Sequence, residues 1–286
     1  MSTKAEWKTR FKGCYVATLT PFDSQGRVDL GVVRAHTAWL IENGIEGLCP
    51  VGTTGEFLFL SEAEKSAIIR ATVEGASGRV PVLAGVWATT PEEINRLAKG
   101  AEDTGADGVF LPTPIYYPAT QTTIYDWYEG AKRATSLPVF AYNIPQYAAN
   151  EITFDTLQHL LDAGIIAGVK DSTGKAERVG ELVRRFGKEH TVFAASDSFA
   201  TEGRKLGADG FISAIANAVP ALFAKLWAGD ESLQSEVDTL RSALKRVGSL
   251  PALKFLLIKQ GFAFGGVRIP YSDLTEAQKK DLEGLD

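Results

Sequence analysis

Lys170 closes the apolar segment AGIIAGVKDSTG, residues 163–174. A lysine is almost never left in such surroundings unless it is paired or used. Burial penalises the ammonium, so a partly desolvated lysine presents a neutral amine that can attack a ketone and form a Schiff base. The imine then acts as an electron sink while a neighbouring C–C bond is made or broken. Such chemistry needs a proton shuttle, and Tyr142 ends the preceding strand-like run, PVFAYN. Parallel neighbouring strands run about 4.8 Å apart, so a phenol and an amine at their ends can meet in one pocket. The stretch GTTGEF, 52–57, adds two hydroxyls and exposed amides beside Gly52 and Gly55, a set that binds a carboxylate without a second cation. Structural readings stand beside these. Lys170 could reach solvent or pair with Asp171, and Thr53 and Glu56 have the spacing of a capping box.

Other chemistries find little support. His36, His159 and His190 fall in helical contexts, which leaves a metal-dependent hydrolase or aldolase without ligands. GVKDSTGK is not a phosphate-binding P-loop: five residues separate Gly168 from Gly174, and Ala176 follows Lys175. Cys14 and Cys49 have no CxxC spacing and read as buried free thiols. With 30 Lys plus Arg against 35 Asp plus Glu, a net charge of -5 and no long basic stretch, neither nucleic acid nor an acidic membrane is an expected partner. MSTKAEWKTRFKG lacks the apolar centre of a signal peptide, so a cytoplasmic protein is expected.

The elements that must position these groups follow from the apolar pattern. Eight β-rich runs, at 13–20, 47–52, 81–86, 108–113, 138–143, 166–171, 191–196 and 210–215, alternate with segments of helical period. NGIEGL, TGADGV and LGADGF repeat one helix-to-strand joint, the first glycine suiting the helix end and the second starting the strand. The pattern predicts an α/β fold, a (β/α)8 TIM barrel over 1–216, with a helical appendix over 217–286 packed on it. An open doubly wound sheet is the alternative, but its first turn would carry GxGxxG, and LTPFDSQG does not. In a barrel the carboxyl ends of the strands carry function, and Lys170 and Tyr142 both fall there. Lys254, in LPALKFLLIKQ, reads as structural, and Gly168 and Gly174 as room for backbone beside a substrate.

GTTGE, TPIYY, YNIP and GVKDSTG, in this order, with a final RIPYSDLT, resemble the class I lyases typified by dihydrodipicolinate synthase and N-acetylneuraminate lyase. The resemblance implies that Lys170 forms the imine with pyruvate or another 2-oxo acid and that Tyr142 is the general acid and base. It implies further that Thr53 relays the proton, Thr54 binds the substrate carboxylate beside Gly52, and the backbone of Ile212 lines the pocket. Tyr116 would reach into a neighbouring subunit, implying a homo-oligomer, a dimer or tetramer. No metal and no organic cofactor are implied. Substrate choice rests on departures from the pattern: Tyr147 where the synthases carry an arginine for the aldehyde's carboxylate, Phe57 after GTTGE, and Ser196 in SDS. Loss of that arginine disfavours 4-hydroxy-tetrahydrodipicolinate synthase. The expected activity is cleavage or formation of a 2-keto-3-deoxy sugar acid or hydroxy-2-oxo acid. Alternatives are a dehydratase or deaminase using the same imine and, in another class, a non-catalytic 2-oxo acid-binding regulator.

Overall fold

The computed structural model describes residues 4–284; residues 1–3 and 285–286, at the ends of the spans 1–216 and 217–286, lie outside the described residues. All eight expected runs form strands: β1 Gly13–Ala17, β2 Gly47–Cys49, β3 Leu83–Gly85, β4 Gly108–Pro112, β5 Val139–Asn143, β6 Gly168–Asp171, β7 Thr191–Ala194 and β8 Gly210–Ser213. They pair in parallel in the order β2-β1-β8-β7-β6-β5-β4-β3. A parallel bridge between Leu48 and Val82, with the Leu48 N–H donating to Pro81 O at 3.0 Å, joins β2 to β3 and closes the barrel. Each strand is shorter than its apolar run. At the carboxyl ends the residues leave the ladder and become the loops that build the site.

The repeated joint has a physical basis. Its first glycines, Gly44, Gly105 and Gly207, take φ of 90°, 84° and 88°, which a side chain disfavours. Its acid does work that the pattern alone does not reveal. Glu46, Asp107 and Asp209 accept the N–H of Cys14, Val82 and Val192 at 2.8, 2.7 and 3.0 Å, satisfying donors at the amino end of the barrel. Asp209 also pairs with Lys8, and Asp107 with Arg10.

Below the site the barrel is filled with aromatic rings. Tyr15 meets Phe193 edge to face at 4.9 Å, and Phe11 meets Phe140 at 4.9 Å. Glycines on adjacent strands make room for them: a Cβ at Gly47 would stand 2.1 Å from the Tyr15 ring, and one at Gly210 2.5 Å from Phe193. Gly168 belongs to this packing and not to substrate clearance, since its Cβ would lie 2.3 Å from Thr191 O and 3.0 Å from Phe140.

After β8 come the helices Pro220–Ala228, Gln234–Val247, Ser249–Lys259 and Glu276–Lys280. One apolar cluster runs from Cys14, Val16 and Phe211 of the barrel to Leu244, Leu253 and Leu257 of these helices. Lys254 is buried and structural. Its ammonium pairs with buried Glu56 at 2.5 Å and donates to Gly266 O at 2.9 Å. Arg268 adds a strap: its N–H donates to Glu56, and its guanidinium to Phe59 O and Glu64. The end of the chain is thereby tied to the loop after β2. Among the described residues no helix is long and apolar enough to cross a membrane.

Candidate active site

Successive strand residues point to opposite faces, so Lys170 and Asp171 part company. Asp171 turns outward and accepts from Arg178 Nε and Asn143 Nδ2, both at 2.8 Å. Lys170 turns into the barrel, and its register partner on β5 is Tyr142. Its Nζ lies 3.9 Å from the centroid of the Tyr142 ring and 5.2 Å from that of Phe110. Only 4 % of Lys170 is exposed, yet among the described residues it has no hydrogen bond or ion pair. The pairing with Asp171 is therefore absent. The nearby Cys49 thiol is pushed up to about 12 by burial, with Lys170 opposing the shift, and stays protonated at neutral pH.

A cavity of about 270 Å³ opens over this pair at the carboxyl end of the barrel. Thr53, Thr54, Tyr147, Ser196 and Ile212 line it with Lys170 and Tyr142. It adjoins a second of about 460 Å³, walled by Phe57, Leu58, Trp87 and Tyr271. The Phe57 and Trp87 rings pack at 3.8 Å. Gly52 stands behind the lining, where a Cβ would approach Phe110 to 3.3 Å. Tyr116 is not brought to either cavity. It is 80 % exposed, in a left-handed conformation with φ 77°, and packs edge to face on Tyr117.

The capping-box reading of the GTTGE loop is not what forms. Glu56 is spent on Lys254 and Arg268, and the helix begins later, at Glu62, behind a capping box made by Ser61 and Glu64. The Thr53 hydroxyl is buried and has no hydrogen-bond partner among the described residues. The neighbour of the Tyr142 hydroxyl is instead Ser172 Oγ, a long contact at 3.5 Å. Buried Asn150 ties the TPIYY loop to the loop after β5: its Nδ2 donates to Pro114 O and Tyr117 O at 2.8 and 2.9 Å, and its Oδ1 accepts from Ala119.

Several lining residues escape a reading of the chain. Ser172 has a signal, standing two places after Lys170. Asp197 is legible beside Ser196 at a strand end; burial raises its carboxyl above the usual range, against the hydroxyl of Ser213 and the charge of Arg241. Arg241, Lys245 and Ser249 come from the C-terminal helices and have no local signal at all.

The pattern of the Dihydrodipicolinate synthetase family matches residues 10–285. The chain belongs to this family. A 4-hydroxy-tetrahydrodipicolinate synthase of Brucella abortus is 40% identical over 281 residues, covering 95% of this chain and 96% of the relative. The dihydrodipicolinate synthase of Acinetobacter baumannii, solved in complex with pyruvate, superposes with a TM-score of 0.89 at 31% identity, covering 95% and 96% of the two chains. A sialic acid aldolase of Ruminococcus gnavus, 23% identical over 96% and 95% of the chains, shares the fold with a TM-score of 0.91. The dihydrodipicolinate synthetase family is one of Schiff-base aldolases, and membership supports lyase chemistry through a lysine imine.

Proposed function

We propose that the chain is a lyase that holds pyruvate as an imine on Lys170 and cleaves or forms a 2-keto-3-deoxy sugar acid or hydroxy-2-oxo acid. One observation carries this reading: a buried lysine without a partner, facing a tyrosine, at the floor of a cavity. In the cleavage direction the amine adds to C2, and the carbonyl oxygen departs as water, taking one proton from the amine and one from the Tyr142 hydroxyl, which is left as phenolate. The protonated imine accepts the electron pair of the C3–C4 bond while Tyr142, as phenolate, takes the proton of the C4 hydroxyl. The aldehyde leaves and an enamine remains. Tyr142 returns its proton to C3, and water hydrolyses the imine to pyruvate and free amine. Thr53 and Thr54 hold the carboxylate, and the unpartnered Thr53 hydroxyl is also available to the phenol.

Support for oligomerisation comes from Tyr116, a large exposed aromatic in a backbone conformation that costs energy. We propose that a second copy covers it and that it completes that copy's site. The Brucella relative's name favours a second reading, a 4-hydroxy-tetrahydrodipicolinate synthase, and the uncharged Tyr147 opposes it. Incubation with pyruvate, reduction with borohydride and peptide mass spectrometry test the imine. An adduct on Lys170 is expected, and its absence in folded protein would sink the proposal. With candidate sugar acids, turnover without release of pyruvate would redirect the reading to dehydration or deamination.

A further inference from the structure

Four charged side chains line the cavity above Lys170: the lysine itself, Asp197, Arg241 and Lys245. The acid is engaged, since Asp197 accepts the Ser213 hydroxyl. Arg241 acts on that carboxyl through its charge without forming an ion pair with it, and Lys245 is exposed on the rim. Other exposed cations, Lys12, Arg70 and Arg246 among them, also lack an ion pair among the described residues, so what sets these two apart is their place on the cavity wall. Arg241 and Lys245 have no hydrogen bond or ion pair among the described residues, although Arg241 is half-buried. They stand one helical turn apart on the helix Gln234–Val247, where like charges repel.

Their direction is set from two sides. Val237, Leu240, Leu244 and Val247 bury the other face of the helix in the core. Its first residue, Gln234, accepts from the Thr201 N–H and hydroxyl and donates to Asp197 O, pinning the helix to the loop after β7. Ser249, at the start of the next helix, adds a hydroxyl to the same wall.

We infer that Arg241, Lys245 and Ser249 form a subsite for a second anionic group, a carboxylate or phosphate at the end of the substrate remote from its 2-oxo acid. The inference rests on the proposed imine at Lys170. The first carboxylate needs no cation, because the hydroxyls and amides of the GTTGE loop serve it. The imine consumes Lys170. That leaves Arg241 and Lys245 as positive charge that a substrate with one carboxylate would not use. The adjoining cavity, which shares Thr53, Thr54 and Ser249 with the first, has no charged group in its lining among the described residues, so a distal anion is drawn to the helix side. This would also answer the absence of an arginine at position 147, since the cation for the far end of the substrate comes from a different element.

The test uses imine trapping on the intact protein with chains of matched length: 2-oxohexanoate, with a neutral end, 2-oxoadipate, with a carboxylate, and 2-oxo-5-phosphonopentanoate, with a phosphonate. Half-saturation of borohydride trapping at Lys170 is read for each, beside pyruvate. At least one charged chain is expected to half-saturate at a concentration about tenfold or more below the neutral chain. The advantage should shrink as potassium chloride is raised. It should collapse in the double variant Arg241→Gln/Lys245→Gln and return in part with Arg241→Lys/Lys245→Gln. Which charged chain wins assigns carboxylate or phosphate. Equal half-saturation for charged and neutral chains in the unaltered protein, an advantage indifferent to salt, or one that survives the double substitution overturns the subsite. Absence of any adduct with pyruvate overturns the imine itself, and the subsite with it.

Discussion

Lys170 has an acid beside it in sequence and none beside it in space, because alternate residues of β6 face opposite ways. Its ammonium form would face the Tyr142 ring and little else, and this separates it from Lys65 and Lys254, which are equally buried but matched with Glu93 and Glu56. Replacement by arginine keeps a cation but cannot make an imine. Lys170→Arg is expected to give no borohydride adduct and to lower kcat/KM roughly 1,000-fold or more; residual turnover near the original rate would remove the lysine from the mechanism. Tyr142→Phe keeps the ring under the lysine and removes the hydroxyl. It should lower kcat about 100- to 10,000-fold while the pyruvate adduct still forms, and the two assays run side by side check this.

At the scale of elements, the recurring joint and the buried helix face carry separate predictions. Asp107 both accepts the Val82 N–H and faces Arg10, so Asp107→Ala leaves a strand donor unsatisfied. A loss of about 1–3 kcal/mol in urea unfolding is expected, with Arg10→Ala, which spares the strand contact, costing far less. His36 is buried on the helix Leu30–Glu42, with Nε2 3.0 Å from Asn217 O, and burial lowers it to about 4, against that hydrogen bond. Its ordinary value, that of the unfolded chain, is 6.5. Above that pH neither state carries the proton. As pH falls from there towards about 4, the unfolded chain binds a proton that the folded one refuses, and stability drops by about 3 kcal/mol. His36→Gln should lose less stability than the unaltered protein between pH 7.5 and pH 4.5, by about that amount. Equal losses would show that the histidine takes no part.

For the whole molecule, the decisive question is whether Tyr116 serves a site in another copy. Lys170→Ala supplies intact Tyr116, and Tyr116→Ala supplies intact Lys170. If the site is shared, mixing the two inactive variants under conditions of subunit exchange should restore a fraction of activity, on the order of a quarter if random pairing leaves one good site in four. Activity that stays at the level of the separate variants would confine Tyr116 to its own chain. Light scattering on the same samples checks for a dimer or tetramer.

Strand positions, the αβ joints and the proposed catalytic pair were legible because each rests on local pattern: an apolar run, a glycine at a fixed place, a lysine and a tyrosine at successive strand ends. The rims were less so. The GTTGE loop read equally well as a helix start, and only Lys254 and Arg268, far along the chain, take Glu56 away from that role. Tyr116 carries a motif but no geometry within one chain that would give it a site. The amino-acid order alone points to the barrel and puts Lys170 and Tyr142 at the ends of neighbouring strands, because apolar runs alternating with helical segments leave few other folds; the register that sets one against the other is a property of the paired strands. What enters the cavity from outside the barrel is a tertiary matter. Arg241, Lys245 and Ser249 sit on an ordinary amphipathic helix whose sequence says which face is buried and not what its other face confronts; the docking of that helix on the loop after β7 decides it.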